Sequence, residues 1–233
     1  MTEATEGRAA WVDLRDLRAA TLSFVIPAPA PGDGHAAWYS DTTTLAPAHI
    51  LRAGVHLGTR DGRPFAHIHG IWTDAGGKEH MGHLLAQDTV LAENTTVELH
   101  LIDGAALDVA NDAETGFDIF RPVRTGEVEK PNAVLATIRP HEPVLDAVAQ
   151  IATNAGITDY AVMGIGSLIG TMFEDRQPIE SYATEILLTD GRKSGGSLSV
   201  TAASVGFDGR FERGPLAFGN MVCVTFEILI IRS

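Results

Sequence analysis

The sequence predicts a sheet-dominated α+β protein built as two similar domains, and three observations carry that prediction. Short β-rich runs alternate with turn residues along the chain, one segment alone has a helical period, and three short motifs recur in the same order in the two halves. Eleven prolines and 24 glycines among 233 residues supply the turns, and a 45% hydrophobic composition supplies a core. That composition excludes a disordered or collagen-like chain.

Taken in order, residues 20–25, 49–57, 65–72 and 95–102 read as strands of the first half. Residues 133–138, 159–163, 183–188, 198–205 and 221–231 read as strands of the second, each enriched in Val, Ile, Leu or Thr and bounded by turn residues. The helix is 143–155, where Val144, Leu145, Val148, Ile151, Ala152 and Ala155 recur at helical spacing, Pro143 suits a first turn and Gly156 a C-terminal cap. Gly164-Ile165-Gly166-Ser167 reads as a tight turn, since a lone Gly-x-Gly without the third glycine and following helix is weak evidence for a phosphate site.

The repeat pairs Ala48-His49-Ile50-Leu51 with Thr184-Glu185-Ile186-Leu187, Gly82-His83-Leu84-Leu85 with Gly214-Pro215-Leu216-Ala217, and Glu98-Leu99-His100-Leu101-Ile102 with Glu227-Ile228-Leu229-Ile230-Ile231. Between the halves, residues 124–132 are polar and read as a linker, which places the domains at 1–124 and 131–233. In the first domain the helix survives only as a degenerate version around residues 11–17.

Seventeen Lys plus Arg against 30 Asp plus Glu give a net charge of −13, which argues against nucleic acid and anionic membranes as partners. No apolar run approaches the roughly 18–20 residues of a membrane span. The N-terminus carries neither a basic leader nor an apolar run, so a cytoplasmic location is expected. Cys223, the single cysteine, sits in an apolar run and reads as a packed thiol.

Of nine histidines, His56, His67, His69, His80 and His83 fall within 28 residues. On a strand, His67 and His69 project from one face about 6.5–7 Å apart. The turn-rich stretch 73–78 folds the chain back and brings His83 beside them. Three neutral imidazoles suit zinc, and iron, nickel or cobalt fit the same donors; with three protein ligands, a coordination position stays open for water or substrate. Asp74, Glu79 and Glu93 are the nearby carboxylates that could act as general base, unranked without geometry. His80 reads equally as a residue supporting the site or as a solvated loop histidine, and His49, opposite Glu185 in the repeat, could face the cleft between the copies. In the second copy the three histidines correspond, allowing a two-residue gap, to Thr201, Ala203 and Pro215, a joint loss expected of residues sharing one function.

Pro64-Phe65-Ala66-His67-Ile68-His69 followed by Gly82-His83-Leu84-Leu85 resembles the second half of the plants-and-prokaryotes-conserved (PPC) domain. Residues 141–170 and Glu185-Ile186-Leu187-Leu188 resemble the first half of a second copy. The resemblance implies an α/β domain on a mainly antiparallel sheet with a flanking helix, a trimeric or pseudo-symmetric homo-oligomer, and a metal site at His67, His69 and His83. The fold is also similar to that of acetolactate decarboxylase, a zinc lyase, which makes catalysis an expectation by analogy. The tandem arrangement and the altered start of the first copy depart from the family pattern. Plant members bind AT-rich DNA through an Arg-Gly-Arg-Pro hook; here Arg60-Asp61-Gly62-Arg63-Pro64 interrupts it with an acid.

The function expected is that of a metal-dependent lyase or hydrolase acting on a small oxo- or hydroxy-carboxylate or ester, with Arg63, Arg52 and His49 as substrate-binding residues. The alternative is a non-catalytic ligand-sensing or DNA-binding regulatory protein.

Overall fold

The computed structural model describes residues 8–32, 34–35 and 37–233; the N-terminal stretch read for a leader lies outside them. Strands β1 (Ala10–Val25), β4 (Thr43–Leu45), β5 (Ala48–Arg60), β6 (Arg63–Asp74), β7 (Glu79–Leu84), β8 (Val90–Leu91), β9 (Leu99–Leu101), β10 (Ala105–Asn111) and β11 (Asp118–Arg124) make one sheet. β2 (Pro27–Ala28) and β3 (Trp38–Tyr39) pair as a small ribbon beside it. β1 pairs with β5 along its first half and with β7 through Phe24 and Val25, so β1, β5, β6 and β7 close on themselves around Val12, Leu22, Ile50 and Trp72.

The second sheet holds β12 (Ala133–Ile138), β13 (Tyr160–Leu168), β14 (Thr184–Ser194), β15 (Ser197–Val205), β16 (Phe211–Pro215) and β17 (Val222–Arg232), in the order β12-β17-β13-β14-β15-β16 with every pairing antiparallel. Helix α1 (Val144–Asn154) buries Val144, Leu145, Val148 and Ala152 against Tyr160, Phe226, Ile228 and Ile230. It ends where Gly156 turns to φ +66°, with the Gly156 and Ile157 amides returning to the Thr153 and Ala152 carbonyls. Among the described residues no helix is long and apolar enough to cross a membrane.

The two sheets share one connectivity. β17-β13-β14-β15-β16 in the second matches β9-β1-β5-β6-β7 in the first, the fifth strand beside the first in each. They pack face to face over Trp11, Ile71, Met81, Ile165, Leu187 and Leu229, so a third apolar core lies between them.

Four sequence expectations are corrected. Residues 11–17 belong to strand β1, because Ala10, Val12 and Leu14 alternate into the first core while Trp11 turns to the second sheet, a period of two. The flanking helix consequently occurs once among the described residues, on the second sheet. The glycines of 164–167 continue β13, since a Cβ on Gly166 would lie 2.4 Å from the Thr225 carbonyl and one on Gly164 would lie 2.7 Å from that of Glu227; they serve close strand approach. Finally, the ladder sets Thr201, not Ala203, opposite Pro215, and His69 opposite His83, so the counterparts of His69 and His67 are Thr201 and Ser199. β10 and β11, which the sequence reading passed over, form an edge hairpin in which Pro122 is tolerated because its missing amide faces no further strand.

Candidate metal centre

Alternation along β6 sends His67, His69 and Ile71 toward the second sheet and Ile68 into the first core. β7 does the same with Met81 and His83, and the ladder puts His83 directly across from His69. One ring atom from each of His67, His69 and His83 lies within 4.8 Å of the others. The ring centroids stand 4.7 Å (His67–His69), 5.0 Å (His67–His83) and 5.3 Å (His69–His83) apart.

The facing wall comes from the second sheet. Glu185 on β14 precedes Leu187 by two residues and Glu227 on β17 precedes Leu229 by two, so each carboxylate shares the inward face of its strand. Glu227 is fully buried and Glu185 is 5% exposed. Glu185 Oε2 stands 2.6 Å from His69 Nε2, and Glu227 Oε2 stands 3.2 Å from His67 Nδ1, close but out of line for a hydrogen bond.

The hydrogen-bonding sets the tautomers. His69 Nδ1 donates to the Ile186 carbonyl at 2.8 Å, which leaves Nε2 facing the cluster, and there it meets His67 Nε2 at 3.0 Å. Two imidazole nitrogens and a carboxylate oxygen thus converge on one spot, and lone pairs so placed need a positive charge between them. In the metal-free chain a proton serves: Glu185 and the Ile186 carbonyl outweigh the burial that opposes it and raise the His69 pKa, while His69 in turn draws the Glu185 pKa down against its own burial. Its neighbours stay neutral. Burial, with the His69 charge adding, lowers His67 to about 3, and burial with the other two rings pushes His83 well below its usual value. Burial raises the Glu227 carboxyl.

These residues fit a divalent ion. In a tetrahedral site with bonds of 2.0–2.1 Å, ligand nitrogens sit about 3.3 Å apart, close to the spacing of His67 and His69. His83 Nδ1 is buried without a partner, and the Ile186 carbonyl already takes the outer nitrogen of His69, as the support of a metal-binding histidine does, while Glu227 Oε2 stands 3.2 Å from that of His67.

Around the cluster lies a chamber of about 80 Å³ walled by Trp38, Tyr39, Phe65, Phe117 and Phe120, with Ser167 and Thr225 beside the glutamates. None of the other residues expected from the sequence lines it. Glu79 pairs with Arg213 at 2.5 Å and Glu93 with Arg18 at 2.8 Å. Asp74 caps its own hairpin, accepting from the Gly76 and Lys78 amides and from His80 Nε2, so Asp74 and His80 are structural partners of the β6–β7 turn. Arg52 grips both oxygens of Asp13 and the Thr189 carbonyl; Arg63 is exposed at the tip of the β5–β6 hairpin; His49 bonds Asp16 at 2.7 Å on the outer side. His56, fully buried, packs edge-on against Trp11 and reaches the Glu227 carbonyl at 3.3 Å, behind the site.

The sequence reading missed Glu185 and Glu227 as site residues. The signal was present in each case as a lone carboxylate inside an apolar run, Thr184-Glu185-Ile186-Leu187 and Phe226-Glu227-Ile228-Leu229, because a charge buried in a strand requires a partner. Tyr39, whose ring stands 5.4 Å from His83, carried no such signal.

No family model and no curated protein matches the chain. Solved structures match about half of it. A plant- and prokaryote-conserved (PPC) protein from Pyrococcus horikoshii is 21% identical over 48% of this chain and 85% of its own, with a TM-score of 0.35. A metal-containing protein from Archaeoglobus fulgidus is 24% identical over 51% of this chain and 78% of its own, TM-score 0.35. A candidate DNA-binding protein from Ralstonia eutropha is 16% identical over 52% of this chain and 79% of its own, TM-score 0.39. With TM-scores this low, the functional reading rests on the side chains themselves.

Proposed function

We propose that the chain is a divalent-metal enzyme, with zinc as the ion its donors suit best, that carries out a hydrolase or lyase reaction on a small carbonyl compound such as an ester or oxo compound. The observation that carries it is the gathering of His67, His69 and His83 in a buried chamber, with His67 Nε2 and Glu185 Oε2 standing 3.0 and 2.6 Å from His69 Nε2. The ion would be held by His67, His69 and His83. When bound, it supplies Lewis-acid chemistry, polarising a carbonyl oxygen and making water acidic enough to react near neutral pH.

The remaining roles fall to the chain's own residues. Glu185, whose Oε2 stands 2.6 Å from His69 Nε2 on the chamber wall, takes and returns the proton that the reaction moves, in the place expected from sequence for Asp74, Glu79 or Glu93. Glu227 and the Ile186 carbonyl orient His67 and His69. The aromatic walls exclude water.

The shared strand order supports a chain made of two PPC-like units, 1–124 and 131–233, of which only the first keeps the histidines while the second supplies the glutamates. A homo-oligomer, trimeric as the family resemblance implies, belongs to the same proposal. The DNA-binding alternative has less to rest on: net charge is −13, and Arg18, Arg60, Arg121, Arg139 and Arg213 each pair with a carboxylate, which weakens the phosphate contacts that counterion release requires. Elemental analysis of protein purified without a histidine tag tests the proposal. One ion per chain, lost in the His67→Ala, His69→Ala double variant, is expected; a metal content unchanged by that double substitution overturns it.

A further inference from the structure

We infer that the chamber takes an uncharged substrate with a compact aromatic or apolar body, and rejects molecules that carry a free carboxylate or phosphate. The inference rests on the metal reading and narrows it, because the sequence alone pointed toward carboxylate substrates held by Arg52 and Arg63.

Charge makes the first argument. Apart from the histidines and Tyr39, the ionisable side chains lining the chamber are Glu185 and Glu227 beside the cluster and Asp118, which Arg60 holds at 2.5 Å, and no Lys or Arg is among the described lining residues. Arg52 is engaged by Asp13 and Thr189, and Arg63 sits exposed at a hairpin tip. A divalent ion on three neutral imidazoles brings two positive charges, and the Glu185 and Glu227 carboxyls stand 2.6 and 3.2 Å from two of the rings that would hold it. No cationic side chain among the described lining residues is there to hold an anion, and a carboxylate brought into an apolar chamber without a partner is disfavoured.

Shape makes the second. Phe65 and Phe120 stack edge-on at 5.5 Å on one side, and Tyr39 and Phe117 meet at 6.3 Å on another. Trp38 stands at the mouth, 42% exposed yet held between His35 and Phe117 at 4.6 and 5.8 Å, where a planar body would pass. Aromatic walls with a few polar groups at one end describe a pocket that binds an apolar body and orients a single polar head toward the cluster.

The test is a matched pair of probes, 4-phenylimidazole and its para-carboxylate, titrated calorimetrically into zinc-loaded wild-type protein at pH 8, with zinc content measured on the same samples. The expected result is at least tenfold tighter binding of the neutral probe, with the gap narrowing in Glu185→Gln or Glu227→Gln protein. Equal or tighter binding of the carboxylate overturns the inference while leaving the metal reading standing. If the protein takes up no zinc, the metal reading falls separately, and benzamide against benzoate on the metal-free chain decides the inference: saturable preference for benzamide sustains it, and any other outcome overturns it.

Discussion

At Glu185 and Glu227 the chain buries two carboxylates in apolar stretches of β14 and β17, beside Ile186, Leu187, Phe226 and Ile228, a placement that costs several kcal/mol per charge unless each is paired. His69 answers the first at 2.6 Å, while the second accepts from the Thr225 hydroxyl at 3.0 Å and stands 3.2 Å from His67, which sets the acidic groups of one sheet against the rings of the other. Replacing Glu227 with Gln keeps its shape and removes the charge behind His67, so zinc affinity should fall about 10–100-fold in competition with a chromophoric chelator. Glu185→Gln should lower kcat by roughly 10²–10⁴ with zinc still bound, because it removes the proposed proton acceptor on the chamber wall. An unchanged kcat would take that role from Glu185. The histidines were legible because strand alternation and one turn are enough to gather them. The glutamates were not, since their partners lie more than 100 positions away, and a repeat that matches Glu185 to His49 does not say which face meets which.

Strands decide how tightly the site is held. β13 threads between β14 and β17, and its glycines let Thr225 and Glu227 approach within a distance that a side chain would forbid. Gly166→Ala should therefore cost about 1–3 kcal/mol, seen as a lower urea midpoint with an unchanged slope. The β6–β7 turn is held by Asp74 and His80 on the side away from the chamber. His80→Ala should leave zinc stoichiometry at the wild-type value; loss of zinc in that variant would return His80 to the site. Helix α1, β5, β6 and β12 were readable from periodicity and turn chemistry, as their ranges here attest. β1 was misread at its start because Trp11, Leu14 and Leu17 also fit a helical spacing, and only the facing sheet, which buries Trp11, decides for the strand.

For the molecule as a whole, the site is the seam between two sheets, so its charge state and the packing of the halves are linked. His56 illustrates this: burial lowers its pKa to about 4. The unfolded chain, with an ordinary histidine value near 6.5, binds that proton first, so stability is complete above about pH 6.5 and declines as pH falls from there toward 4. His56 alone contributes roughly 3 kcal/mol to that decline, and His56→Phe should flatten the stability profile across this window in metal-free protein, measured by urea denaturation at successive pH values. A slope identical to wild type would remove His56 from the account. Metal acts in the opposite direction: zinc at about 100 times its Kd should stabilise the fold by about 2.7 kcal/mol, reversed by chelator.

The central claim is that three imidazoles from β6 and β7 gather one ion. X-ray absorption at the zinc edge of the loaded protein tests it most directly. The account predicts three histidine nitrogens at about 2.0–2.1 Å with light oxygen scatterers completing the shell. A sulfur neighbour near 2.3 Å, which would implicate Cys223, or a shell of oxygens without imidazole scattering would contradict it.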